Sequence, residues 1–366
     1  MTSDFAIELR PTSHPLGDEE RRERMKSPGF GRVFTEHMVR IPYEEDKGWG
    51  RAVLSPYGPI ELMPASSVLH YGQAIFEGFK AYRQPDGGIK TYRPEMNARR
   101  LNRSARRLAM PELPEGLFIE AADALIRQDR AWVSDALGES FYLRPLMFAT
   151  DCALGVRPSS SYEFVVFASP SGNYFPRGLQ PVTVWISEEY VRACPGGTGD
   201  AKFAGNYAAS LAGQKQAHNE GCDQVVWLDA VNRRFIEEMG GMNIFFVYRD
   251  AASVTLVTPE LTGTLLEGVT RDSLLTIAPS LGLKFQERKI SAEEWQADAR
   301  AGKLTEAFAC GTAAVISPIG TAKSRRGSWT MSDGKTGPIT AKLRETLLDI
   351  QHGRAPDPHG WMHKVL

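Results

Sequence analysis

The sequence has little that would take it to a membrane, a metal or a nucleic acid. No apolar run approaches the roughly 20 residues needed to cross a bilayer. The start, Met1-Thr2-Ser3-Asp4-Phe5, lacks the basic residues and apolar stretch of a secretory signal. Lysine and arginine number 43 against 44 aspartates and glutamates, which leaves no bulk positive charge for nucleic acid or anionic lipid. Cysteines are few: Cys152, Cys194, Cys222 and Cys310, none in a CxxC pair. They read as buried reduced thiols rather than a disulfide frame or a zinc site. His352, His359 and His363 match no zinc spacing and read as a solvated tail. Also missing are GxGxxG opening a helix, GxSxG and HExxH. These absences leave a cytoplasmic chain of 366 residues, 42% hydrophobic and 24% charged, long enough for two domains.

Strands and helices mix in both halves, which predicts an α/β (α+β) fold of two domains. After an arm rich in charge at 8–28, short strand-like runs begin at Phe34. Pro85-Asp86-Gly87-Gly88 separates two alternating runs and predicts a hairpin. Asn97 is expected to cap a helix that carries five arginines between 99 and 107. Most of these read as an exposed face, while one turned inward would suit a phosphate. Arg144 interrupts the apolar strand 141–148. A charge there must be paired, so it is either a site for a carboxylate or half of a structural ion pair. The segment 172–181, rich in Pro, Gly and Ser, is the expected linker between a first domain at 1–171 and a second at 182–366.

In the second half, Lys202 stands among glycines and small residues, with Asn206 expected to cap the helix that follows. A desolvated ammonium there would be a usable amine nucleophile, the requirement for a Schiff-base lysine. The segment is not a P-loop, because Ala201 and Phe203 flank the lysine where glycine and a hydroxyl residue are required. Glu237 and Glu238 end a strand before Gly240-Gly241, a pair that marks a bulge or the close approach of a ligand. Gly268-Val269-Thr270 opens a helix and Gly311-Thr312-Ala313 follows an apolar run; each offers backbone donors to an anion.

Taken together and in order, these segments resemble the branched-chain amino acid aminotransferases, pyridoxal-phosphate enzymes of fold type IV, and look especially like actinobacterial members. The resemblance runs over nearly the whole chain. It covers 30–38, 69–81, Tyr142-Leu143-Arg144-Pro145, Ala201-Lys202 with Asn206-Tyr207, Glu238-Met239-Gly240-Gly241-Met242-Asn243, Gly268-Val269-Thr270-Arg271 and Gly311-Thr312-Ala313. It implies a smaller N-terminal α/β domain and a larger C-terminal pseudo-barrel α/β domain carrying the lysine. It also implies pyridoxal 5'-phosphate bound to Lys202, which acts as general base and acid. Glu238 would hold the pyridine nitrogen protonated, and Tyr207 would bond the phenolic oxygen. Arg100, the Val269 and Thr270 amides and the Thr312 hydroxyl would hold the phosphate. Glu237 falls on the other face of its strand and is left out. Arg99, Arg103 and Arg106 keep their surface reading.

For substrates, the resemblance implies branched-chain amino acids, their 2-oxo acids and the pair glutamate and 2-oxoglutarate. Phe30, Tyr71, Phe76 and Tyr142 would form the apolar wall. Arg144 would meet the glutamate side chain, and the Thr312 and Ala313 amides the α-carboxylate. The loop holding Val156 would reach a partner's site in a homodimer. Two features depart from animal relatives. Ala314 and Ser317 replace a CxxC redox pair, and Gly241 replaces a threonine near the cofactor ring. Alternatives that keep Lys202 are a D-amino acid aminotransferase or an aminodeoxychorismate lyase, with another carboxylate site, and a non-catalytic pyridoxal-phosphate carrier.

Overall fold

The computed structural model describes residues 5–172 and 179–366. Residues 1–4 and most of the expected linker lie outside the described residues. The chain forms two compact units, Met1–Pro176 with Ala201–Ala204 and Leu348–Leu366, and Arg177–Asp200 with Gly205–Leu347.

The first unit is built on a sheet with the strands β1 (Ile7–Leu9), β2 (His37–Glu44), β3 (Gly48–Trp49), β4 (Ala52–Pro56), β5 (Ala74–Phe76), β6 (Phe79–Arg83), β7 (Ile89–Tyr92), β8 (Ser140–Ala149), β9 (Ser161–Ser171) and β19 (Met362–Lys364). The path runs β1-β4-β2-β9-β8-β6-β7-β19. All pairings are antiparallel except β1 with β4. Its helices are α1 (Asp18–Met25), α2 (Ser67–Tyr71), α3 (Pro94–Arg107) and α4 (Glu115–Gln128). The apolar stripes of α3 and α4, including Leu101, Ala105, Phe118 and Leu125, pack on Val39, Phe79, Phe141 and Phe164 of the sheet. Phe118 lies 5.6 Å from Phe79 and 5.9 Å from Phe164, aromatic spacings that add to burial.

One interruption in this sheet matters later. Pro145 of β8 has no N–H to give a neighbour. Pairing with β5 stops at Phe76↔Leu146 and resumes with β6 at Phe79↔Leu143. Glu77 and Gly78 lie in the gap, where the Glu77 N–H donates to the Pro145 carbonyl at 2.8 Å.

The second unit holds β10 (Val182–Ser187), β11 (Gln224–Leu228), β12 (Ile236–Met239), β13 (Met242–Arg249), β14 (Val254–Thr258), β15 (Lys284–Glu287), β16 (Leu304–Gly311), β17 (Val315–Ser324) and β18 (Gly327–Thr330). The order β12-β11-β10-β17-β16-β13, together with direct pairing of β12 to β13, closes a barrel. Around it are α5 (Ala204–Asn219), α6 (Val269–Ile277), α7 (Ala292–Arg300) and α8 (Pro338–Gln351), whose end crosses into the first unit. At Gly213 in α5 a methyl group would fall 2.5 Å from Trp227 Cη2, so only glycine lets the helix lie this close to β11.

Several expectations need correcting. The short Lys202 segment groups with the first unit: the Phe76 N–H donates to the Lys202 carbonyl at 3.1 Å and the Lys202 N–H to Ser104 Oγ at 2.9 Å. Helix α3 begins at Pro94, not after Asn97; Asn97 lies one turn in and donates to the Arg93 carbonyl. Asn206 does not cap α5 but exchanges hydrogen bonds with Thr198, each at 2.7 Å. Gly240-Gly241 is a two-residue hairpin turn with Gly240 at φ 58, not a bulge. The histidine tail is solvated only at His359, which is exposed. His352 is buried against Tyr82, His363 bonds Asp123 at 2.8 Å, and β19 pairs with β7. Of the four thiols, all free, Cys152 and Cys194 are exposed. Among the described residues no group of His, Cys, Asp and Glu is arranged to hold a metal, and no helix is long and apolar enough to cross a membrane.

Candidate active site

In the first unit, the two-residue period of β8 puts Tyr142 and Arg144 on one face. An Arg144 Nη2 donates to the Tyr142 hydroxyl at 3.1 Å. Phe30 meets the Tyr142 ring edge-on at 4.9 Å. Its loop turns through Gly29 and Gly31, both at positive φ, and is held by the Gly172 N–H donating to the Gly29 carbonyl. The Arg144 guanidinium lies 4.9 Å from the Phe76 ring centre, and Lys202 Nζ lies 4.8 Å from the same centre. An amine and a guanidinium thus share one aromatic ring, with cation–π attraction favouring both. Gly78 makes room for Tyr142: a methyl there would lie 1.9 Å from the Tyr142 hydroxyl. Phe30, Phe76, Tyr142, Arg144 and Lys202 are therefore brought together.

Tyr71 and Val156 are placed differently. Tyr71 is exposed and donates to the Leu154 carbonyl, while Val156 is 84% exposed. Arg100 is the arginine of α3 that turns inward. Its Nε and an Nη2 donate to the two oxygens of Glu77 at 2.7 and 2.8 Å. Arg99 and Arg106 lie on the surface, paired with Glu115 and Glu112; Arg103 is half-buried, not exposed.

In the second unit, alternation along β12 sends Glu237 and Glu238 to opposite faces. Glu238 is 2% exposed. Its Oε1 accepts the Leu266 N–H at 2.7 Å, and its Oε2 lies 3.2 Å from Arg192 Nε, outside hydrogen-bond alignment. Asn243, the register partner of Glu238 on β13, donates to the Leu266 carbonyl at 2.9 Å. The two side chains hold Leu266 at both ends and set the turn into α6. Gly268 is needed there, since a methyl would lie 2.0 Å from Asn243 Oδ1. Glu237 accepts from the Thr264 hydroxyl, and burial pushes its carboxyl above the usual range.

Helix α6 starts on Gly268 with no side-chain cap, and Val269 and Thr270 in its first turn are buried. A buried helix start without a cap leaves N–H groups seeking an acceptor, and an anionic phosphate satisfies both them and the dipole. This donor set fits a phosphorylated cofactor. Thr312 and Ala313 occupy the turn between β16 and β17, both half-buried, next to Val315 at φ 63. That conformation is strained for a β-branched residue. Tyr207 lies in the first turns of α5. A methyl at Gly241 would stand 3.2 Å from its Cε1, so threonine there would press on a ring that glycine leaves undisturbed.

The profile of the family described as amino-transferase class IV matches residues 74–321. The chain belongs to the class IV aminotransferases. This class IV aminotransferase is 57% identical over 360 residues to a probable branched-chain-amino-acid aminotransferase of Streptomyces coelicolor, covering 98% of each chain. It is 57% identical over 354 residues to the branched-chain-amino-acid aminotransferase of Mycolicibacterium smegmatis, covering 96% of each. Among solved structures it matches the Escherichia coli branched-chain amino acid aminotransferase with a TM-score of 0.73 at 26% identity, over 90% of this chain and 100% of that one. The T.th. branched-chain amino acid aminotransferase complexed with N-(5'-phosphopyridoxyl)-L-glutamate matches with a TM-score of 0.71 at 28% identity, over 89% of this chain and 98% of that one. The fold is that of fold type IV.

Two buried residues of this aminotransferase were missed by sequence reasoning. Arg192 donates to the carbonyls of Thr264 and Gly199 and stands beside Glu238. Its signal was a charge between Val191 and Ala193, the same reasoning that singled out Arg144. Glu77 lies within 69–81, a lone acid in an apolar run.

Proposed function

We propose that this chain exchanges the amino group between branched-chain L-amino acids and 2-oxoglutarate, using pyridoxal 5'-phosphate. The observation that carries the reading is the Phe76 ring with Lys202 on it at 4.8 Å and Arg144 at 4.9 Å. An aliphatic side chain finds an apolar wall in Phe30, Phe76 and Tyr142, and a glutamate side chain finds a guanidinium in Arg144 at the same ring. One pocket thereby accepts both substrates in turn. The curated relatives at 57% identity carry the branched-chain name, which supports this choice over a D-amino acid aminotransferase.

The bound cofactor supplies an aldehyde carbon that accepts the amino group and a pyridine ring that draws electron density from the substrate α-carbon. Lys202 Nζ would anchor that aldehyde carbon and, once displaced by the substrate amine, would serve as the base and acid that moves the proton held at the substrate α-carbon. Glu238, buried with one oxygen on the Leu266 N–H, would accept the proton-bearing ring nitrogen on its other oxygen. Tyr207 bonds the phenolic oxygen. Arg100, the Val269 and Thr270 amides and the Thr312 hydroxyl hold the phosphate; the Thr312 and Ala313 amides orient the substrate α-carboxylate. Amino acid and 2-oxoglutarate enter, and 2-oxo acid and glutamate leave.

We also assign the exposed Leu154 and Val156 loop, beside Tyr71, to the site of a second copy in a homodimer; sedimentation as a monomer would overturn this. Four free cysteines, two of them exposed, suit the reducing cytoplasm. The deciding experiment is Lys202→Ala. Turnover with L-leucine is expected to fall by about a thousandfold or more, and borohydride should no longer fix cofactor to the chain. Retained turnover, or activity of the unaltered enzyme on D-alanine alone, would overturn the reading.

A further inference from the structure

Glu77 has no part in the chemistry above, yet it is fully buried, at 0% exposure. It sits where Pro145 interrupts the sheet, so its backbone is released from regular pairing and its side chain reaches α3. Both carboxylate oxygens are occupied there. Oε1 accepts Arg100 Nε at 2.7 Å, Oε2 accepts Nη2 at 2.8 Å, and the Gly78 N–H also donates to Oε2 at 3.2 Å. This is the side-on fork, which fixes the plane of a guanidinium as well as its place. The same Nη2 also lies 3.5 Å from Asn97 Oδ1.

Such a pair is not needed for stability. Two apolar residues of similar volume often do as well, because desolvating two charges offsets their attraction. What the fork adds is geometry, and geometry matters most for an arginine that must meet a phosphate through two aligned N–H bonds. The same short segment also fixes two other site residues. Phe76 ties the Lys202 backbone, and Gly78 admits the Tyr142 hydroxyl.

We propose that Glu77 is a positioning residue, whose fork fixes the plane of the Arg100 guanidinium for the cofactor phosphate. The proposal rests on the assignment of Arg100 to that phosphate. It is tested on the holoenzyme by two readouts other than turnover: the rate of cofactor release on dilution, and the phosphorus resonance of the bound cofactor across about pH 6 to 8, the range next to the free phosphate's second pKa of about 6. Glu77→Gln is expected to release cofactor about tenfold faster and to make the resonance move with pH where the unaltered enzyme's stays flat. Glu77→Asp, which keeps the charge, should show the same signature more weakly, and it decides the matter should Glu77→Gln not fold.

Arg100→Lys should speed release by itself, and adding Glu77→Gln to it should change the rate less than about twofold, because the fork is already gone. If Arg100→Lys speeds release but Glu77→Gln does not, or if Glu77→Gln accelerates release equally in both backgrounds, the positioning role is overturned. If Arg100→Lys changes neither readout, the phosphate assignment falls and takes the proposal with it.

Discussion

Glu77 with Arg100 in the first unit and Glu238 with Arg192 in the second are the same two side-chain types under burial, joined in opposite ways. In the first pair both oxygens go to one guanidinium in a fork. In the second, one oxygen takes a backbone N–H and the other lies beside Arg192 without hydrogen-bond alignment, while the arginine spends its Nη2 on carbonyls. A carboxylate spent on a fork can only hold its partner. A carboxylate left with an oxygen to offer can take a further proton donor, as a protonated ring nitrogen requires. On the proposed function, the arginine would be the working member of the first pair and the glutamate that of the second.

The sharpest way to break this comparison is to neutralise each acid. Glu238→Gln is expected to lower kcat by about a hundredfold or more with little change in KM for leucine, read in steady-state assays. Glu77→Gln at saturating cofactor should lower it far less; equal losses would erase the distinction. Next in size is Gly78→Ala. The added methyl must displace the Tyr142 hydroxyl, at a cost of about 1–3 kcal/mol in stability. KM for glutamate should rise more than KM for leucine, because Arg144 loses its hydroxyl partner.

The smallest effects concern two buried titratable groups of opposite sign. Burial lowers His352 of the first unit from 6.5 to about 4, so its contribution is present above pH 6.5 and lost as the pH falls towards 4. His352→Phe should remove part of the acid-side fall in Tm, by about 2–4 °C. Burial raises Glu237 of the second unit, so its contribution is full below its ordinary 4.5 and is lost as the pH rises. Glu237→Gln should therefore raise Tm at pH values of about 8, with a smaller effect in acid; the reverse order would contradict the burial of that carboxyl.

Local chemistry made parts of this site legible. Lys202 stood out by its small neighbours and the α6 start by Gly268, each a property of a few adjacent residues, whereas Glu238 took its role from the family resemblance and alternation only set Glu237 aside. Arg144 was legible as a charge in an apolar strand, but whether it met a substrate or an ion pair was not, since Phe76 reaches it from another strand. Arg192 was not legible as a partner of the Thr264 carbonyl, which lies 72 positions away. Asn97 and Asn206 misled because asparagine signals a cap wherever a helix begins, and here their amides serve the Arg93 carbonyl and Thr198 instead. His352 and His363 misled for the opposite reason: their partners Tyr82 and Asp123 lie far earlier in the chain, where β19 returns to pair Met362 with Tyr92 of β7.

That pairing has a consequence for how the chain comes into being. Everything from Arg177 to Leu347, apart from the short lysine segment, is an insertion between β7 and the strand that completes its edge. During vectorial synthesis the barrel can close while the earlier sheet still shows a bare edge, a template for unwanted pairing. The unit whose synthesis begins first is the last to be finished.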